Sequence, residues 1–180
     1  MDTVTGEIVK KGDSLVRASS FSIQPPTYGG GMIFVGLSQG TIQAFNADTM
    51  ESLWVYQDPL GGQPNCQITY KDGYIYTGFW NSETQEANYV CISATDEDPS
   101  SGTEAKTATW THAQKGGYYW AGAYIDQSGT FMLEGTDDGE AGYKTGYAHV
   151  LSMNPKTGEV LDDLTLPHTG DLRSNITHDM

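Results

Sequence analysis

Several sets of side chains in this sequence have types and spacings that raise a question of chemistry. Gly36-Leu37-Ser38-Gln39-Gly40 fits the G-x-S-x-G pattern of a nucleophilic serine. That motif needs a strand, a sharp turn, and then a helix whose N-terminus helps to hold an oxyanion. The residues after Ser38, "QGTIQAFNA", alternate in a strand's period and not a helix's. Ser38 is therefore expected in a hairpin turn, and no catalytic residue is assigned. Two acidic groups, Asp96, Glu97 and Asp98, and Asp137, Asp138 and Glu140, carry oxygens suited to Ca²⁺. A calcium loop needs alternating ligands closed by a bidentate carboxylate, and neither stretch has that spacing, so both read as solvated turns.

The histidines, His112, His149, His168 and His178, show no i,i+4 or cysteine-linked spacing for a metal, and none is expected to bind one. Cys66 and Cys91 are too far apart for a CxxC site, and two cysteines make no disulfide framework, so they leave the redox compartment open. The richest candidate surface is aromatic: Tyr118, Tyr119 and Trp120 in "KGGYYWAGAYID", with Trp80 in "GFWNSE". Aromatic rings beside Asn and Asp at strand ends can stack on sugars or anchor a protein partner. Their other role would be to seal contacts between structural units.

The elements that must position these groups repeat. "GGMIFVGLSQG" from Gly30, "DGYIYTGFWNS" from Asp72 and "SGTFMLEGTDDG" from Ser128 each read as a Gly-led alternating strand followed by a polar turn. A second strand follows each: "TIQAFNA" from Thr41, "NYVCISA" from Asn88 and "YAHVLSM" from Tyr147. A further strand follows two of these, in "DTMESLWVY" from Asp48 and "PKTGEVLDDL" from Pro155. Extended stretches precede each Gly-led strand, namely "SFSIQPPTY", "NCQITYK" and "WAGAYIDQ". Four short strands in a period of about 40 to 55 residues are the signature of a β-propeller blade.

The blades are expected at residues 20–58, 65–113 and 120–166. Residues 1–14 are expected to be the last strand of a preceding blade, and residues 173–180 the first strand of a following one. The polar insertion "TDEDPSSGTEAKT" lengthens the second unit. Gly6 and Gly158, in "VTGE" and "KTGE", take a turn position that needs positive φ. Met50 stands there in the first complete blade, so strain or rearrangement is expected in that turn.

These units resemble the pyrroloquinoline quinone (PQQ) type repeat, strand, Gly, then "lyAlDaktGkvlW". Thr41 to Trp54 and Ala148 to Leu161 match it, with a weaker match at Tyr89 and Thr107. The resemblance implies an all-β fold, a partial ring of about three four-stranded antiparallel blades with part-blades at both ends. It implies that Trp54 and Trp110, in the fourth strand, dock against the neighbouring blade. Lys10 and Asp162 occupy that position in the other two repeats, where looser packing is expected.

The family spans PQQ-dependent alcohol dehydrogenases, a non-catalytic outer-membrane assembly scaffold and surface proteins. Its enzymes hold PQQ with an adjacent Cys-Cys disulfide, a facing Trp and Ca²⁺ inside an eight-bladed ring. This sequence has no Cys-Cys pair, so neither PQQ nor Ca²⁺ is expected. The function expected is a non-catalytic interaction scaffold; a carbohydrate-binding adhesion module and a fragment of a quinoprotein dehydrogenase are the alternatives.

Charge narrows the partners. A net charge of -14 with only 9 Lys and Arg excludes nucleic acid, whose binding releases counterions from clustered cations, and an anionic membrane surface would repel the chain. The expected partners are other blades, another copy meeting it through exposed edges, or a protein or glycan. No apolar run approaches the roughly 18 residues of a membrane span. The opening residues lack a signal peptide's apolar core. The family resemblance points to an extracellular or cell-envelope protein whose sequence extends beyond these residues.

Overall fold

The computed structural model describes residues 1–18, 24–120, 122–135, 146–169, 172 and 175–177. The described residues form strands, turns and loops with no helix. The first blade holds β1 (Thr27–Gly29), β2 (Met32–Leu37), β3 (Thr41–Asn46) and β4 (Ser52–Gln57), in sequence order and antiparallel. The second holds β5 (Thr69–Lys71), β6 (Tyr74–Gly78) and β7 (Glu86–Ser93), then, after a short β8 (Glu104–Lys106), β9 (Trp110–Lys115). The third holds β10 (Tyr124–Ile125), β11 (Phe131–Gly135), β12 (Tyr147–Met153) and β13 (Val160–Pro167). Three antiparallel four-stranded units in one arc are a partial β-propeller.

The inner strands are short for local reasons. Pro25 and Pro26 have no N–H to give a ladder, so β1 begins only at Thr27. The middle blade is buried on both faces: Ala87 to Ile92 are all buried, and the one polar amide among them, Asn88, is hydrogen-bonded to Asp58. Ile75 and Ile92, paired in register, join Phe34, Ile42 and Trp54 in the core shared with the first blade. Tyr76 and Cys91, the next pair, face the other way and join Phe131, Leu133 and Met153 of the third. The two clusters are the joints of the arc.

One six-residue turn recurs three times. Asn46 Oδ1 accepts from the N–H of Asp48 and Thr49, Met50 N–H donates to Asn46 O, and Glu51 N–H donates to Thr49 Oγ1. Asn154 to Glu159 repeats this pattern, and so does Asp2 to Glu7. The fifth residue lies in the left-handed region in each: φ is 74° at Gly6, 63° at Met50 and 73° at Gly158. A Cβ at that φ costs about 1–2 kcal/mol. Replacing Met50 by Gly should therefore raise stability by about 0.5–1 kcal/mol after the entropy of the more flexible unfolded chain is offset. Urea denaturation checks this; a loss of stability would mean that the Met50 side chain outweighs its backbone strain.

Residues 1–14 do not form the expected strand. The turn at 2–7 is local and survives, whereas a strand needs a partner, and no described strand pairs with residues 8–13. The segment lies instead along the first blade. Asp13 Oδ2 accepts from Ser52 N–H at 2.9 Å, Val16 N–H donates to Gln43 Oε1 at 2.9 Å, and Lys10 Nζ donates to Asp48 O. Lys10 was expected to forfeit docking, but its ammonium reaches the β3–β4 turn as an indole N–H would. At the other end, Asn175 Oδ1 accepts from Gly122 N–H at 2.9 Å and its Nδ2 reaches Gln67, along the inner strands; residues 175–177 form no strand. The rest of the expected strand at 173–180 lies largely outside the described residues.

The insertion adds an element that the repeat does not contain. β8 pairs parallel to β4, Trp54 against Glu104 and Tyr56 against Lys106, so a strand from the second unit covers the outer edge of the first. An unpaired outer edge is a template for aggregation, and β8 removes this one. Lys106 is held inside by Glu97 at 3.0 Å, by Thr95 O at 2.7 Å and by the Trp54 ring, whose centroid lies 5.8 Å from Nζ.

Candidate functional site

One end of the arc carries the aromatic groups. Gly40 N–H donates to Gly62 O at 2.6 Å, and Gln63 and Trp80 exchange backbone bonds at 2.8 and 3.1 Å. Tyr118 N–H donates to Phe79 O at 3.0 Å. These bonds lock the β2–β3 turn, the β4–β5 link, the β6–β7 loop and the β9–β10 link into one rim.

Beneath it sits a buried carboxylate. Asp58, 2% exposed, accepts from Tyr56 Oη at 2.8 Å, from Asn88 Nδ2 at 3.1 Å on both oxygens and from Leu60 N–H at 2.9 Å. Burial, and then the Asp58 charge and hydrogen bond, hold the Tyr56 hydroxyl far above a phenol's ordinary pKa, so it stays a donor.

On this base stands an aromatic step. The Trp80 and Tyr119 rings meet edge-to-face with centroids 5.1 Å apart, and Tyr119 stacks on Trp120 at 4.7 Å and 21°. All three residues are half-buried. Trp120 has φ 71°, an outlier for so bulky a residue, and Trp80 Nε1 is buried with no hydrogen-bond partner among the described residues. Both observations mark a site where packing overrides local preference.

Tyr118 does not belong to this surface. It is fully buried, edge-to-face with Tyr89 at 5.1 Å, and its hydroxyl donates to His112 O at 3.3 Å. A Cβ at Gly78 would lie 2.6 Å from the Tyr118 Cβ, so the ring fills space that a side chain there would take. Of the two roles weighed for these aromatics, Tyr118 seals a blade joint.

The docking residues act in parallel. Trp54 is fully buried and donates from Nε1 to Ala94 O at 3.3 Å; Trp110 donates to Pro155 O at 2.8 Å, with its ring lying over Gly158. Asp162 sits on exposed β13 and accepts only from its neighbour's N–H among the described bonds.

The remaining candidates divide. Ser38 lies in the β2–β3 turn, its N–H donating to Ala18 O at 3.0 Å, and strand β3 follows instead of the helix a nucleophile elbow requires. The Asp96 to Asp98 turn is organised by Glu104, whose Oε2 accepts from the N–H of Glu97 and of Asp98 at 3.0 Å each. Asp137, Asp138, Glu140 and His178 lie outside the described residues.

His112 and His149, unrelated in sequence, meet Asp163 at the second joint, with His149 Nδ1 3.0 Å from the carboxylate. Burial, reinforced by His149, lowers the His112 pKa against the pull of Asp163. The neutral ring is thus favoured in the fold, so stability should be full above the unfolded value near 6.5 and fall as pH drops below it. His112→Gln should flatten that part of a stability-versus-pH curve measured by urea denaturation; an unchanged slope would place the titration elsewhere.

Cys66 and Cys91 are free and buried in the core, and no group of three His, Cys, Asp or Glu among the described residues is placed to hold a metal. Among the described residues no helix is long and apolar enough to cross a membrane.

No protein-family model matches the chain, and no curated protein matches it. Solved structures do. A quinohemoprotein alcohol dehydrogenase from Comamonas testosteroni superposes with a TM-score of 0.54 at 12% identity, over 83% of this chain and 21% of that one. BamB from Moraxella catarrhalis gives 0.51 at 12% identity, over 74% and 34%. The fold is that of a β-propeller segment. A europium-containing methanol dehydrogenase gives 0.54 at 10% identity, over 78% and 24%. The propeller segment thus spans about a fifth to a third of the length of these structures, two of them named as enzymes and one not.

Proposed function

We propose that this is a segment of a non-catalytic, quinoprotein-like β-propeller that serves as an interaction platform in a larger cell-surface or envelope protein. The observation that carries the reading is the step of Trp80, Tyr119 and Trp120. It is built across two loops, half-exposed, and holds Trp120 at φ 71°. Rigid aromatics lose little entropy on binding and bury large areas, which suits a flat contact with a protein or a sugar ring. Likeness to BamB shows that such a fold is not confined to proteins named as dehydrogenases. Neither PQQ nor Ca²⁺ is part of the proposal.

Trp120→Gly separates contact from fold. Gly accepts the left-handed backbone, so thermal stability should hold or rise, while binding falls at least tenfold. A glycan array probed with the wild type and the variant reads the carbohydrate case, and crosslinking of the full-length protein reads the protein case. A large stability loss would return Trp120 to the core. A quinone absorbance on adding PQQ, with dye-linked alcohol oxidation, would overturn the non-catalytic reading.

A further inference from the structure

At the end opposite the aromatic rim, a cleft of about 510 Å³ opens between the second and third blades. Its walls are the β5–β6, β10–β11 and β12–β13 turns, so it exists only because the two blades stack. Tyr76, Cys91 and Ile125 supply an apolar floor. Burial pushes the Cys91 thiol up to about 11, so it remains a neutral, soft lining group and not a nucleophile. The Tyr76 hydroxyl reaches Pro155 O only at 3.5 Å, and Trp110 Nε1 already occupies that carbonyl at 2.8 Å. The phenol also hydrogen-bonds with the Cys91 thiol, so the two groups form one connected floor.

Lys71 and Lys156 stand on the wall. Lys71 Nζ is 3.8 Å from Asp72, a carboxylate 82% exposed, and Lys156 forms no ion pair among the described residues. Asp126, also lining the cleft, is spent on its own turn, accepting from Ser128 Oγ at 2.7 Å and Thr130 N–H at 2.9 Å. Two cations, Lys71 and Lys156, and two carboxylates, Asp72 and Asp126, line the cleft, an even balance that departs from the net charge of -14 of the whole chain.

We propose that this cleft binds a small aromatic carboxylate, its ring against Tyr76, Cys91 and Ile125 and its carboxylate at Lys71 and Lys156. A concave, mostly apolar site with a few charged groups that fix orientation is the usual form of a small-molecule pocket. The proposal does not depend on the interaction-platform reading, because it uses other residues at the other end of the blades.

Titration of the protein with 2-naphthoate, followed by amide chemical shifts, tests it. Saturable shifts should gather at Asp72, Gly129 and Lys156. The double variant Lys71→Gln, Lys156→Gln alters only side chains that reach solvent, so its spectrum should stay dispersed while affinity drops at least tenfold. The uncharged 2-naphthylmethanol should bind the wild type about tenfold more weakly than the acid. Absence of saturation, shifts confined to the Trp80 and Trp120 rim, or equal affinity of wild type and double variant would each overturn the proposal.

Discussion

Trp54→Ala lowers the unfolding free energy by about 3–5 kcal/mol, the range for removing a large aromatic side chain from a core. Three contacts converge on this ring. It packs on Phe34 at 5.8 Å, it lies under the Lys106 ammonium, and its N–H donates across the joint to Ala94 O. Truncation leaves a cavity between the first two blades and removes the aromatic face that Lys106, whose side chain is 2% exposed, rests on. Against a typical stability of about 5–15 kcal/mol, such a loss is a large share of the whole.

Trp54→Phe keeps part of the packing and forfeits the N–H bond, so its cost should be clearly smaller. Lys10→Ala removes the corresponding bond at the exposed N-terminal segment and should cost less than about 1 kcal/mol. Urea denaturation of the three variants reads the order directly. If Trp54→Ala costs no more than Lys10→Ala, the indole is not what joins the blades.

The comparison between these positions also shows what the sequence could and could not convey. The turns at 2–7, 46–51 and 154–159 were legible because their hydrogen bonds close within six residues, and the Asn or Asp at the start and the residue at positive φ are visible in any linear scan. The alternating strands were legible because side-chain period reports on one strand at a time.

What stacking creates was not visible. β8 is three residues, Glu-Ala-Lys, with no strand signal of its own, and gains its partner only from a different blade. Lys10 keeps a docking bond with a residue type that the family pattern does not use. Tyr118 looks like its neighbours Tyr119 and Trp120, yet one step along the chain separates full burial from the rim. His112, His149 and Asp163, and likewise Lys71 and Lys156, are brought together by the second joint and have no spacing to find.

Asp58→Ala is the second large effect, expected at about 3–5 kcal/mol, because it strands donors instead of removing apolar area. A buried carboxylate costs desolvation, but here Tyr56, Asn88 and Leu60 answer it; deleting it strands the buried O–H of Tyr56 and NH₂ of Asn88 and frees the part-buried N–H of Leu60. Tyr56→Phe takes away one donor and no acceptor, so it should cost about 1.5–3 kcal/mol, the range for a hydrogen bond to a charged group. In the double variant the Tyr56 hydroxyl is no longer stranded, and the summed single losses should exceed the measured one. The position of Asp58 gives the effect a second readout. Leu60 O accepts from Asn81 Nδ2 at 3.0 Å, and Gln63 pairs with Trp80, so the carboxylate anchors the link on which the aromatic step stands. Hydrogen exchange at Leu60, Gln63 and Trp80 should quicken in Asp58→Ala before the β6–β7 ladder does. Uniform acceleration across both would show that Asp58 stabilises the whole arc rather than its rim.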